Sequence, residues 1–134
     1  MLTRHNPKTV AAPLSSYSHG VEVPANARWL NISGQVAVAV DGSIPAGIEA
    51  QADLVFRNIV EVLASAGMTV ADLVRINTYI VDTGDMAGFR KVRDRYVGSV
   101  APASTMIAIS ALARPEFLIE VEAVAASVPQ DIGE

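Results

Sequence analysis

The hydrophobic patterning of this chain predicts an α+β fold in which one mixed β-sheet carries two helices packed on one face. Three observations point there. Two stretches repeat apolar residues at three- and four-residue steps, and the other apolar stretches alternate with a period of two. Their order is strand-strand-helix-strand-helix-strand-strand. No internal repeat, low-complexity segment or linker interrupts that order, so residues 1–134 read as one domain.

Residues 1–13 lack periodicity and contain Pro7 and Pro13, which suits an extended lead-in. A first strand is expected over Tyr17–Val23, ending at Pro24, and a second over Arg28–Val40. In the second, Trp29, Asn31 and Ser33 alternate with Leu30, Ile32 and Gly34, and Asp41-Gly42 then supplies a turn. Gly47–Ala66 is the clearest helix, because Ile48, Ala52, Val55, Ile59, Val62 and Ala66 form one stripe and Gly67 stops it. Thr69 with Asp72 three residues later makes a capping-box pattern that starts a short turn. Val74–Val81 alternates as a strand, with Val74, Ile76, Thr78 and Ile80 on one face and Arg75, Asn77 and Tyr79 on the other.

A second helix is expected over Met86–Val97, burying Met86, Phe89, Val92 and Tyr96. Pro102 blocks its continuation and introduces a strand from Ser104 to Leu112. The loop Ala113-Arg114-Pro115-Glu116 then makes a last hairpin with a strand over Phe117–Ala126, and residues 128–134 read as a mobile tail.

Composition narrows the function classes. Hydrophobic residues make up 51% of the chain and charged residues 18%, which excludes a disordered protein. The mean hydropathy of +0.34 is high for a small monomer. The sheet face away from the helices is expected to be rich in Val, Ile and Ala, so oligomerisation is the simplest cover for it. A net charge of −4 without a basic run argues against nucleic acid, since Arg90, Lys91, Arg93 and Arg95 spread around a helix instead of forming one stripe. The absence of cysteine excludes disulfides and thiolate chemistry, and His5 and His19 are too few for a multi-histidine metal cluster. Nowhere do about 18 apolar residues run together, and the first twenty show no secretory pattern, so a cytoplasmic protein with no membrane span is expected.

Several short elements fall in a recognisable order. Ala12-Pro13 precedes Tyr17-Ser18, Ser33-Gly34-Gln35 follows, Gln51 and Asn58 lie in the long helix, and Phe89 and Tyr96 in the second. Pro102-Ala103 and Ile119-Glu120-Val121-Glu122-Ala123-Val124-Ala125 close the series. Together they resemble the RidA (YjgF, reactive-intermediate deaminase) family over nearly the whole chain. The resemblance implies a chorismate-mutase-like fold assembled as a homotrimer, with small-molecule clefts between neighbouring subunits and neither metal nor organic cofactor. It implies hydrolysis of enamines or imines derived from amino acids, releasing a 2-keto acid and ammonia. The family's ligand-contact positions correspond to Tyr17, Ser33, Gly34, Ser104, Thr105, Met106 and Glu120.

The residues themselves allow plainer readings. Tyr17 can pack at an interface, and Ser33-Gly34 fits a bend in a strand as well as close approach to a ligand. Glu120 and Glu122, two apart on a strand, share a face where they either position a proton or are simply solvated. Glu120 occupies the family's cleft carboxylate position and is the catalytic candidate. Two departures matter. Ser104 stands where the family has an arginine that holds the substrate carboxylate, and one neutral hydroxyl replaces a charged fork. Arg93 stands where the helix pattern has asparagine, and it either reaches the cleft as a substitute cation or pairs on the helix surface with Asp94 or a neighbouring chain. Arg114 is a third possible cation. Three functions follow: an imine or enamine hydrolase that does not use the usual 2-imino acids, a non-catalytic metabolite-binding or regulatory trimer, and a ribonuclease or translation inhibitor.

Overall fold

The computed structural model describes residues 1–129; of the expected tail over 128–134, residues 130–134 lie outside the described range. The elements are β1 (Thr3–His5), β2 (Gly20–Glu22), β3 (Arg28–Val36), α1 (Ile48–Ser65), β4 (Leu73–Ile80), α2 (Met86–Val97), β5 (Ala103–Ala108) and β6 (Ile119–Ser127). The main sheet has the order β3-β6-β4-β5, with β6 antiparallel to both neighbours and β4 parallel to β5. The α2 crossover makes the parallel pair possible, since parallel neighbours need a long connection.

Both helices cover one face. In α1 the stripe Ala52, Val55 and Ile59 is buried as expected, joined by Leu54, Phe56 and Leu63. Phe56 stacks between Phe89 at 6.0 Å and Tyr96 at 5.4 Å, which ties α1 to α2. Beneath them lie Ile32, Leu73, Ile76, Ile80, Ile119, Val121 and Ala123 from the inner face of the sheet. The Thr69–Asp72 capping box is present over the 3-10 turn Val70–Asp72. Gly67 stops α1 with φ of 69°, a backbone angle that glycine adopts without strain.

Several expectations change. The lead-in is not simply extended coil, because β1 pairs with β2. The strand expected over Tyr17–Val23 shrinks to Gly20–Glu22, and Ser18 instead bridges Ala103 beside β5. Strand β3 ends at Val36 and β5 at Ala108, short of Val40 and Leu112. There is no last hairpin: β6 inserts between β3 and β4, leaving β5 on the edge. The register of β4 slips between Leu73 and Arg75, so Leu73, fully buried, takes the inner place expected for Val74.

The largest correction concerns the open face of the sheet. It is not a field of Val, Ile and Ala. Register places Asn31, Glu120, Glu122, Arg75, Asn77, Tyr79 and Thr105 there, with Trp29, Val124 and Ile107 between them. The small apolar residues went to the inner face because that is where the helices exclude water.

Candidate functional site

The open face takes its shape from a bulge. Ile32 pairs with Ala123 and Gln35 with Val121, so one extra residue sits in β3 at Ser33-Gly34. The bulge reverses the alternation of β3, turning Gln35 toward the helices and aligning Val36 with Glu120. Gly34 then lies under the Glu120 side chain: a Cβ built on it would come 2.7 Å from Glu120 Cδ. Glycine is needed here for close approach, since the backbone and a carboxylate share the space. Ser33, Gly34 and Glu120 are thereby brought together.

Glu122 lies next along β6 and is better anchored. Its Oε1 accepts a hydrogen bond from the Tyr79 hydroxyl at 2.6 Å and another from Asn77 Nδ2 at 3.3 Å. The bond to Glu122, followed by burial, raises the Tyr79 hydroxyl above its usual pKa, so Tyr79 remains a proton donor well into alkaline solution. Asn31, Ser33, Asn77 and Glu122 line a shallow depression of about 290 Å³. Asn77 Oδ1 is buried there with no hydrogen-bond partner among the described residues. Sequence reading missed Tyr79 and Asn77 as site residues, although the alternation of β4 had already set them on the polar face.

The second group of candidates lies at the far edge of the sheet. Ser18 Oγ donates to Ala101 O at 2.6 Å, and the Ser18 amide donates to Pro102 O at 3.2 Å. Arg4 Nε donates to Val100 O as well. These bonds hold the turn in which Ala101 adopts a left-handed φ of 48°, and they set Tyr17 beside the start of β5. Tyr17 packs edge-on against His19 with ring centres 5.8 Å apart, and its hydroxyl accepts from the Leu14 amide at 3.4 Å.

Ser104, Thr105 and Met106 are consecutive on a strand, so they cannot all face one ligand with their side chains. Ser104 pairs with the buried Ile76 and faces the helix side, and Met106 packs on the core. Thr105 points to the open face, where its Oγ1 accepts from Arg75 Nη2 at 2.6 Å. Within one chain, therefore, Ser104 and Glu120 lie on opposite faces of the sheet with β4 between their strands.

Arg93 is paired with Asp94, as one reading had it, but it is not an exposed surface residue. Its residue exposure is only 3%, and both Nε and Nη2 donate to Asp94 Oδ1, at 3.0 and 2.9 Å. It belongs to the helix layer. Arg114 lies over the Phe117 ring at 5.7 Å with Glu116 at 3.6 Å, beside a separate pocket of about 350 Å³.

The loop before β6 is fastened by Gln51, a fully buried polar side chain in α1. It donates to Pro45 O at 3.0 Å and Glu116 O at 2.8 Å, and accepts from the Leu118 amide at 2.9 Å. Every polar atom of the amide is used, and β6 with both glutamates starts from a fixed point. No group of three or more His, Cys, Asp or Glu side chains suited to a metal ion occurs among the described residues. No helix among them is long and apolar enough to cross a membrane.

Comparison with known proteins agrees with this architecture. The family model described as endoribonuclease L-PSP (Ribonuc_L-PSP) matches residues 8–127. The chain belongs to that family, which is the YjgF/RidA family. A RutC family protein of Pyrococcus abyssi is 31% identical over 115 residues, covering 84% of this chain and 87% of the relative. TdcF of Escherichia coli, which carries a reactive intermediate deaminase name, is 27% identical over 124 residues, covering 88% of this chain and 93% of TdcF. Among solved structures, the Rid family protein YyfB of Yersinia pestis superposes with a TM-score of 0.83 at 37% identity, covering 94% of this chain and 98% of that one. RidA of an Antarctic Psychrobacter superposes at 0.68 with 27% identity, covering 90% and 95%. The expected RidA-like fold, a mixed sheet with two helices on one face, is therefore the fold of this protein.

Proposed function

We propose that this family member is a small-molecule hydrolase acting on a reactive imine or enamine, in a cleft completed by a second copy of the chain within a homotrimer. One observation carries the reading: the Glu120 carboxylate lies over Gly34 at the β3 bulge, on a sheet face that the helices leave open. Imine hydrolysis needs a water aimed at an electrophilic carbon and a proton for the departing nitrogen. A carboxylate against bare backbone can serve both steps in turn. Tyr17 and Ser104 are the other half of the proposed ligand set, and in one chain they lie away from Glu120. A neighbouring copy that stacks on the open face would bring the halves together.

The usual 2-imino acids are poor candidates. With Ser104 in place of an arginine, a carboxylate there loses a charge-assisted pair of about 1.5–3 kcal/mol. Arg93 does not make up the loss, because its guanidinium is buried against Asp94.

The test is turnover of a panel of imines and of 2-aminoacrylate generated in place, by the wild type and by Glu120→Gln, with mass in solution measured for both. The expected result is a trimer in both proteins, hydrolysis by the wild type alone, and little activity on 2-aminoacrylate. Full activity in Glu120→Gln would reduce the carboxylate to a structural acceptor, and a monomer at micromolar concentration would remove the shared cleft.

A further inference from the structure

The open face carries a cation that lies outside the family resemblance. Arg75 pairs across the sheet with Val124 and Ala103, which sets its side chain on the same face as Glu120 and Glu122. Among the described strand residues of that face it is the sole cation. We propose that Arg75 and Thr105 bind a carboxylate of the ligand, and that the substrate is an imine or enamine whose carboxylate stands several bonds from the reacting carbon. The substrate half of this inference rests on the hydrolase reading above.

The donor inventory supports an anion. Arg75 Nη2 donates to Thr105 Oγ1 at 2.6 Å, which anchors the guanidinium without neutralising it. The hydroxyl hydrogen of Thr105 is left to donate elsewhere, as are the remaining N–H groups of Arg75. Four of the nine other lysines and arginines are matched to carboxylates: Arg57 to Asp53 at 3.0 Å, Lys91 to Glu49 at 3.0 Å, Arg93 to Asp94 at 2.9 Å and Arg114 to Glu116 at 3.6 Å. Arg4, Lys8, Arg28, Arg90 and Arg95 have no carboxylate partner among the described residues, so it is the place of Arg75 on the open face that sets it apart. Arg75 forms no such pair among the described residues. The result is a fixed guanidinium fork beside a hydroxyl whose O–H is free to donate, the complement of an oxyanion.

Spacing selects the class of ligand. Arg75 and Tyr79 are four residues apart on β4, about 13 Å along the strand, and Tyr79 is the cross-strand partner of Glu120. The arginine side chain shortens this gap without closing it, because its guanidinium is bonded to Thr105, which pairs with Asn77, two residues short of the Tyr79–Glu120 pair and two strands away from Glu120. A 2-imino acid carries its carboxylate directly on the reacting carbon and cannot meet both groups. A ligand with an intervening chain of a few carbons can lie across Asn77 and Glu122 and reach each end.

The experiment is calorimetric titration of the full chain with two stable carbonyl analogues, 5-oxohexanoate with a remote carboxylate and 2-oxobutyrate with an adjacent one. Wild type, Arg75→Gln, Thr105→Val and Arg57→Gln are compared, the last being a change of equal charge on α1. We expect saturable binding of 5-oxohexanoate that tightens at low salt, weaker binding of 2-oxobutyrate, and a loss of roughly 10- to 100-fold in Arg75→Gln. Thr105→Val should lose less and Arg57→Gln nothing. Equal affinity in wild type and Arg75→Gln, an equal loss in Arg57→Gln, or no saturable binding of 5-oxohexanoate to the wild type would each overturn the site. Because binding is read without turnover, such a failure leaves the hydrolase proposal standing. Conversely, Arg75-dependent binding with no imine hydrolysed would support the carboxylate site and remove the hydrolase.

Discussion

Tyr79 donates its hydroxyl to Glu122 Oε1 at 2.6 Å, joining the two central strands of the sheet on their open face. This bond, with burial second, raises the tyrosine pKa. Tyr96 is pushed up to about 12, by burial first and then by its bond to Asp53. For a phenol, a raised folded-state value means stabilisation that is complete below the unfolded value of about 10 and is lost as pH climbs through the folded one. Spectrophotometric titration of tyrosinate should therefore show two late-ionising tyrosines. Glu122→Gln should return Tyr79 toward the ordinary value and leave Tyr96 unmoved; an unchanged profile would show that the bond is not kept in solution.

Gly34→Ala separates the role of the bulge from that of the carboxylate. The added methyl meets the far end of a flexible side chain, so Glu120 can swing aside and the fold should survive with a loss of about 1 kcal/mol or less. Activity on any imine the wild type hydrolyses should fall at least tenfold, mainly in kcat, as the carboxylate leaves its position. Denaturant unfolding and steady-state kinetics on the same preparation check both parts, and an unchanged kcat would mean that Glu120 works from another rotamer.

Ser104→Arg tests the missing clamp. The variant should gain activity on 2-iminobutyrate and 2-aminoacrylate, chiefly through a lower KM, because a guanidinium restores the paired donors for an adjacent carboxylate. The wild type should show little turnover of either compound. High wild-type activity would contradict the specificity assigned to Ser104.

The helix layer rests on Phe56, which is 1% exposed and stacked on two rings. Phe56→Ala should cost about 3–5 kcal/mol. Thermal or denaturant unfolding measures it, and a loss under about 1 kcal/mol would mean that α1 and α2 close over the gap.

The parts determined by sequence alone are those with strong local causes. The bounds of α2 match expectation at both ends, and those of α1 to within a residue, because apolar spacing, Gly67 and Pro102 act within a few residues of themselves. Glu120 and Glu122 share a face for the same reason: strand alternation is a local property. What needed the tertiary structure is everything set by pairing across long separations. Inserting β6 between β3 and β4 removed the expected hairpin, and two register slips moved Gly34 beneath Glu120 and Leu73 into the core. Arg93 illustrates the limit best. Its helix position was legible, but burial depends on what packs against that helix, and only the folded chain shows the guanidinium buried beside an exposed Asp94 while Arg75 stands on the open face.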